Sequence, residues 1–400
     1  MSGQTLVLSG SKSESNRLLL LQKLFPQLRV HNLADSDDVV AMQRGLAMTS
    51  ATINIHHAGT AMRFLTAYFA VCQEQMVVLE GSERMHNRPI GILVDALRSL
   101  GAHITYLDKE GYPPLSIHGI LAEGGSIHIP AAVSSQYISA LLLVGTRFEK
   151  GLTLHLIGEI TSRPYIEMTL SLLSELGAET SFDGQTITVK SPRTISQTHF
   201  TVEADWSSAS YYYSLIALSP IGTTLRLGQY KKVSLQGDVA LVDIYAKLGV
   251  ETVFEEGGLI RLTKKEKEQP LFDADFKDTP DLAQTVVVTC FGLGIPCRIK
   301  GLHTLKIKET DRLLALQNEL IKLGGDLQVT AASLALSKRR NPVLVTPTID
   351  TYQDHRMAMA FAPLVLQMDL LINEAEVVSK SYPTFWEDLK KLGIQMVENK

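Results

Sequence analysis

The strongest constraint on how this chain folds is a long internal repeat. Segments of amphipathic pattern end on Leu97-Arg98-Ser99-Leu100-Gly101-Ala102, and similar endings recur at 173–178, 245–250, 320–325 and 389–394, each with Leu-Gly at its fourth and fifth positions. Each reads as a helix stopped by a glycine at the position where a left-handed residue is needed. The five glycines, Gly101, Gly177, Gly249, Gly324 and Gly393, are 76, 72, 75 and 69 residues apart. Alternating segments follow most of them, as at His103–Tyr106, Glu179–Phe182 and Glu251–Phe254, and these read as strands.

A second series of helices keeps the same time. Openings at Gly59, Ser135, Ser208, Asp281 and His355 are 76, 73, 73 and 74 residues apart. Their bodies are nearly apolar, for example Phe64–Val71, Ile138–Val144, Tyr211–Leu218 and Val286–Phe291, which predicts burial on all sides. Each unit therefore holds two helices with strands between them, too long for a solenoid repeat and suited to a compact α/β module used repeatedly. A further helix opens at Lys12-Ser13-Glu14-Ser15-Asn16-Arg17, only 46 residues before Gly59 when measured from Ser13, so six units are expected with the first one short by a strand or two. The segment Pro192–Gln197 is a natural boundary between the third and fourth units.

Composition limits what such a chain does. Net charge is −4 and the isoelectric point about 6.3, so no diffuse basic surface is available for a nucleic acid or an anionic membrane. No apolar run approaches the ~20 residues that span a bilayer, and the N-terminus lacks a cationic flank with an apolar core, which together predict a cytoplasmic protein. Cys72, Cys290 and Cys297 lie in apolar stretches without the spacing of a zinc site and are expected as buried thiols.

Polar residues cluster where helices begin. Lys12 and Arg17 flank the first opening, where unpaired backbone N–H groups and the positive end of the helix dipole favour a phosphate or carboxylate. Arg88-Pro89-Ile90 is read with proline in a helix's first turn, and Ser134-Ser135-Gln136 supplies neutral donors. Ser162-Arg163-Pro164, Lys308-Glu309-Thr310-Asp311-Arg312, Asp354-His355-Arg356 and Lys380-Ser381-Tyr382-Pro383 are read as further helix starts. If six buried helices point the same dipole end at a shared region, that region attracts anions. Asp281 and Glu309 stand among these cations, where a carboxylate stays ionised and can exchange a proton with a hydroxyl. Capping alone also explains an aspartate at the position of Asp281, and side-chain pairing along one helix face also explains Lys308 to Arg312.

Taken together, the blocks Lys12–Arg17, Ala58–Arg63, Arg88–Ile90, Ser134–Gln136, Lys308–Arg312 and Asp354–Met359 resemble, in order and over nearly the whole chain, the signature blocks of the EPSP synthase family of enolpyruvyl transferases. The resemblance implies an α/β fold of two domains, residues 12–202 and residues 1–11 with 203–400. Each would be an inside-out α/β barrel of three βαβαββ units in pseudo-threefold arrangement, with the active site in the cleft between them. It implies transfer of the carboxyvinyl group of phosphoenolpyruvate to the 5-hydroxyl of shikimate 3-phosphate with release of phosphate, without metal or organic cofactor, by a monomer serving aromatic amino acid and chorismate synthesis. Matched residue by residue, it puts Lys12, Ser13, Arg17, Ser134, Ser135, Gln136, Ser162, Asp281 and Lys308 on shikimate 3-phosphate. Phosphoenolpyruvate would meet Lys12, Gly59, Arg88, Gln136, Arg312, Arg356 and Lys380. Asp281 would take the hydroxyl proton, with Glu309 and Lys12 handling the proton at the methylene.

Three positions depart from the family pattern: His57 where Asn is usual, Phe64 where Pro is common and Thr304 where Asn is frequent. Two other readings stay open. One is a UDP-N-acetylglucosamine enolpyruvyl transferase, although the loop Gly81–Asn87 lacks the cysteine those enzymes generally carry. The other is a non-catalytic copy that binds anions without turning them over.

Overall fold

A helix between two strands lets the strands pair in parallel, and a hairpin added to the second strand extends the sheet in the antiparallel sense. The computed structural model, which describes residues 2–48, 50–73, 75–120, 123–132, 134–266, 268–337 and 346–397, repeats that recipe four times. Strand Thr52–Asn54 runs through helix Gly59–Ala70 to the parallel strand Met76–Glu80; helix Gly91–Ser99 then leads to the hairpin His103–Tyr106 and Leu115–His118, whose second strand pairs antiparallel with Met76–Glu80. The same order of parallel pair, last strand and third strand holds in the sheets that begin on Gly125–Pro130, on Gln4–Val7 and on Phe272–Asp275. Each is the βαβαββ arrangement that the family resemblance implies.

The chain divides into two units, Gly10–Val202 and Met1–Ser9 with Glu203–Lys400. Each unit holds two of the four-stranded sheets and one parallel two-stranded ribbon. In the first the ribbon is Arg29–His31 with His199–Thr201, the short first unit of the repeat. In the second it is Thr348–Ile349 with Leu371–Ile372, so among the described residues the sixth unit is also reduced to its parallel pair. The sequence identifies only the first as short, because the sixth keeps its helix spacing.

The predicted interior helices are the cores of these units. Helix Gly59–Ala70 packs on helix Ser135–Gly145, and both pack on helix Lys12–Leu24. In the other unit helix Ala283–Leu293 packs on Trp206–Leu218 and on His355–Phe361. Gly59–Ala70 is buried except for Thr60, and Ser135–Gly145 except for Gln136; Trp206–Leu218 is buried except for Ser207 and Leu218. A helix enclosed by apolar neighbours thus keeps one first-turn polar residue in reach of whatever lies at its N-terminus. All five repeat glycines have positive φ, between 79° and 105°, as the helix-stop reading requires. Cys290 and Cys297 are buried free thiols, and Cys72 is a half-buried one. Among the described residues no helix is long and apolar enough to cross a membrane.

Several predicted helix starts shift. Pro89 lies before the helix rather than in its first turn: Gly91–Ser99 begins two residues later, where the Ile90 and Gly91 N–H groups both donate to the Gly111 carbonyl. The helix expected at Lys308 begins at Arg312, since Asp311 accepts from the Leu313 and Leu314 N–H groups and so makes the better cap. Lys380 closes a 3-10 turn, Ala375–Lys380, and the next helix is Phe385–Lys391; proline at 383 biases Tyr382 away from helical backbone and delays the start. Asp281 sits in a 3-10 turn, Pro280–Leu282, that leads into helix Ala283–Leu293. The first helix does begin at Lys12, after Ser11, whose side chain makes no capping bond.

Candidate active site

In the unit that contains Glu203–Lys400, the side chains at the helix starts converge on Arg312. Its guanidinium, 2% exposed, donates from Nε to Asp354 Oδ2 at 2.7 Å, from Nη1 to Asp281 Oδ1 at 2.8 Å and from Nη2 to Glu309 Oε2 at 2.8 Å. Asp354 also caps helix His355–Phe361 by accepting from the Arg356 N–H. Glu309 receives a second cation, Lys380 Nζ, at 2.7 Å on its other oxygen. Asp281 receives two more: Arg356 Nη2 at 3.3 Å and Lys308 Nζ at 3.5 Å. Arg356 also donates to the Asp281 carbonyl at 3.1 Å and to Ser207 Oγ at 3.3 Å, and Ser207 in turn donates to Asp238 Oδ2. The starts of three interior helices, Trp206, Ala283 and His355, are thereby linked through side chains.

The electrostatics follow from that crowding. Burial opposes the charge on Asp281, but Arg356, Lys308 and Arg312 outweigh it and hold the carboxyl well below the usual carboxylate range. Burial likewise opposes the charge on Arg312, and Asp354, Glu309 and Asp281 overcome it, so the guanidinium is held more firmly charged than usual. Asp238 is the exception. Burial, with Asp281 adding repulsion, pushes its carboxyl up to about 7, and the Ser207 hydroxyl and the Arg356 charge offset only part of that.

In the unit Gly10–Val202, Lys12 is the first residue of its helix and pairs with the buried Asp38 at 3.3 Å. Arg17 is directed inward: Nε donates to Thr169 Oγ1 at 2.7 Å, Nη1 to the Ser13 carbonyl at 2.8 Å, and Nη2 to Ser139 Oγ and the Tyr165 carbonyl at 3.0 and 3.1 Å. The guanidinium also lies over the Phe64 ring, 5.5 Å from its centroid. Burial brings the Arg17 pKa down to about 10, which leaves it charged at neutral pH. Gly59 opens its helix directly under Arg88: a Cβ added there would lie 2.5 Å from Arg88 Nη1, so only glycine admits the guanidinium this close. Arg63, buried behind them, donates to the Gly59 and Pro89 carbonyls at 3.1 and 2.9 Å and ties the Arg88 loop to the helix start. Ser134 caps helix Ser135–Gly145, and Gln136 Nε2 donates to Thr60 Oγ1 at 3.2 Å. Ser162 opens helix Arg163–Leu176 in a left-handed conformation, φ 53°.

A family model of EPSP synthase (3-phosphoshikimate 1-carboxyvinyltransferase) matches residues 23–389. The chain belongs to the EPSP synthase family. A relative from Bacteroides fragilis (strain YCH46), named 3-phosphoshikimate 1-carboxyvinyltransferase, is 47% identical over 392 residues, covering 97% of this chain and 95% of the relative. One of the same name from Neisseria meningitidis serogroup B is 36% identical over 423 residues, with coverage of 97% and 95%. The solved EPSP synthase of Acinetobacter baumannii is 20% identical, with a TM-score of 0.75 over 97% of this chain and 95% of that one, so the two share the two-domain inside-out α/β fold of the family.

For this family member, the network around Arg312 brings together every residue singled out from the sequence in that unit: Asp281, Lys308, Glu309, Arg312, Arg356 and Lys380. In the other unit the structure joins Gly59 with Arg88, and Ser13 with Arg17 through a backbone carbonyl. Sequence reasoning left out Asp354 as a ligand of Arg312, Asp38 as the partner of Lys12, and the Ser207–Asp238 pair. Asp354 carried a signal, since it precedes His355-Arg356 at a helix start. Asp238 carried none: it lies in the 3-10 turn Gly237–Ala240, away from every repeated helix opening.

Proposed function

We propose that this chain transfers the carboxyvinyl group of phosphoenolpyruvate to the 5-hydroxyl of shikimate 3-phosphate and releases phosphate, as part of aromatic amino acid synthesis. The observation that supports it best is the Arg312 network, in which Lys308, Arg312 and Arg356 gather around Asp281 and keep it ionised, and Lys380 joins Arg312 on Glu309. Two anionic substrates need such cations, and the addition step needs a base beside them.

In this reading Lys12, Ser13, Arg17, Ser134, Ser135, Gln136, Ser162, Asp281 and Lys308 hold shikimate 3-phosphate. Lys12, Gly59, Arg88, Gln136, Arg312, Arg356 and Lys380 hold phosphoenolpyruvate. Protonation of the methylene by Glu309 or Lys12 makes the neighbouring carbon cationic, the hydroxyl adds there as Asp281 takes its proton, and return of a proton from the resulting methyl group to Glu309 or Lys12 expels phosphate. Cations fixed in advance stabilise the charge that develops and hold the reactants in reach of each other. Arg17 holds shikimate 3-phosphate less directly than the other cations, because its donors are largely taken by Thr169, Ser13, Ser139 and Tyr165, contacts that also fix the start of helix Lys12–Leu24. The protein acts as a cytoplasmic monomer.

The deciding experiment supplies purified protein with phosphoenolpyruvate and either shikimate 3-phosphate or UDP-N-acetylglucosamine, following phosphate release and the carboxyvinyl ether by mass spectrometry. Product with the shikimate acceptor alone is expected. Product with the sugar nucleotide, or binding of both substrates without product, overturns the reading.

A further inference from the structure

In the unit Gly10–Val202, the sheet that begins on Thr52–Asn54 carries an unusual row on its outer face. Strand alternation buries Val77, Ile104 and Ile117 and turns the residues between them outward. Register then places Met76 directly opposite His118, and His118 directly opposite His103. One thioether and two imidazoles therefore lie side by side on three adjacent strands. All three are exposed, Met76 at 66%. The next outward row, Val78, Ser116 and Thr105, is ordinary strand surface.

The ring geometry suits a shared ion. The His103 and His118 centroids are 6.2 Å apart and their planes stand at 88°. An imidazole nitrogen binds a transition metal at about 2.0–2.1 Å, which puts the ion roughly 3 Å from the ring centre, so a 6.2 Å separation is within the span of two rings that turn a nitrogen toward one ion. The other two cross-strand histidine pairs of this unit are built differently. His128 and His155 are stacked at 4.8 Å, with both His155 nitrogens on the Ser126 and Thr186 hydroxyls. His31 and His199 are stacked with planes 8° apart, and His199 Nδ1 is on the Thr198 hydroxyl. Lone pairs lie in the ring planes, so stacked rings point them past one another rather than at a common centre.

The donor set also discriminates among ions. Among the described residues no group of three or more His, Cys, Asp or Glu converges, so no hard carboxylate cage accompanies the pair. Two imidazoles favour the ion at the top of the divalent affinity order, which is copper, and a thioether favours its reduced state. We propose that Met76, His118 and His103 form a surface site for a copper ion, with the two imidazoles as its main ligands and Met76 adding affinity for Cu(I). None of the three belongs to the residues assigned to carboxyvinyl transfer, so this site stands or falls independently of that reaction.

The test titrates the full-length protein with Cu(II), read by electron paramagnetic resonance, and with Cu(I) under anaerobic competition with a chromogenic chelator. One ion per chain with a two-nitrogen ligand pattern is expected. Because the strands hold the two imidazoles as a bivalent pair, His103→Gln or His118→Gln weakens Cu(II) binding by about 100-fold, whereas His155→Gln leaves it unchanged. Met76→Leu weakens Cu(I) more than Cu(II). Circular dichroism of each variant separates lost ligation from lost folding. Full Cu(II) affinity in a folded variant lacking both His103 and His118 overturns the site and moves the ion elsewhere, and equal effects of Met76→Leu on the two oxidation states remove the thioether from it.

Discussion

Arg312 and Asp281 meet at 2.8 Å although 31 residues separate them, each standing where a helix of the same unit begins. The arginine is enclosed and its three nitrogens face three different carboxylates, while Asp281 faces three different cations. An anionic substrate that uses Arg312 or Arg356 has to exchange with these pairs. Three cations, not one, hold Asp281 ionised before it takes a proton.

That arrangement separates catalysis from stability at Asp281. With Asp281→Asn, Arg312 retains Glu309 and Asp354, so the fold stays intact, yet the proposed base is gone. Phosphate release should fall by about 10²–10⁴-fold in kcat, while the melting temperature shifts by only a few degrees. Steady-state assays beside a thermal melt check both halves, and a variant with ordinary kcat removes Asp281 from the base position.

Asp354 is the opposite case. It is fully buried, bonds Arg312 Nε and caps the helix of Arg356, so Asp354→Ala leaves part of an enclosed guanidinium unpaired and a helix start uncapped. A loss of about 3–5 kcal/mol is expected, as for breaking other buried pairs. Urea unfolding measures it, and a loss below about 1 kcal/mol means that Arg312 finds another partner for Nε.

Gly59 governs Arg88. In Gly59→Ala the new methyl lies 2.5 Å from Arg88 Nη1, so the guanidinium must move, whereas Arg63 and the rest of the loop stay anchored. The KM for phosphoenolpyruvate should rise by about tenfold, in line with the 1–3 kcal/mol cost of overpacking, and the KM for shikimate 3-phosphate should change much less. Glyphosate, a phosphonate that competes for the same position, should inhibit the wild type competitively and the variant less. Equal shifts in both KM values count against the assignment of Arg88 to phosphoenolpyruvate.

Local signals account for what was legible in advance. A glycine forced to positive φ, as at Gly177 and Gly249, marks a helix end by backbone chemistry alone, and an apolar body behind a small first residue, as at Gly59 and Ser135, marks a buried helix. From these the six units and the helix starts where the candidate residues cluster could be found, while the role of each candidate came from the family resemblance. The reduction of the sixth unit to a parallel pair among the described residues could not be read, because the helices of that unit keep their spacing. Starts at Lys308 and Lys380 were misplaced for a related reason: both lysines lie at the ends of 3-10 turns set by tertiary contacts, with Lys380 drawn onto Glu309 from 71 residues away. The buried partners Asp38 and Asp238 are meaningful only through what they touch, and no spacing announces that.

Asp238 yields the clearest dependence on pH. Its carboxyl ionises near 7 in the folded protein, against an ordinary value of 3.8, because burial penalises the charge and Ser207 and Arg356 offset only part of that. An acid whose pKa is raised by folding binds its proton more tightly in the native state than in the unfolded one. Its contribution therefore does not change below the unfolded pKa, and stability then falls as pH rises from about 4 to about 7. A rise from 3.8 to about 7 corresponds to an upper bound of about 4 kcal/mol. Asp238→Asn keeps the shape and removes the titration, so it should stabilise the protein at pH 8 by up to that amount and give no gain at pH 4. Chemical unfolding of wild type and variant across that range tests it. A difference that stays constant with pH would mean that Asp238 is charged in the folded state through a partner other than Ser207 and Arg356, and a variant less stable at pH 8 would mean that the ionised carboxylate supports Arg356 through Ser207 more than its burial costs.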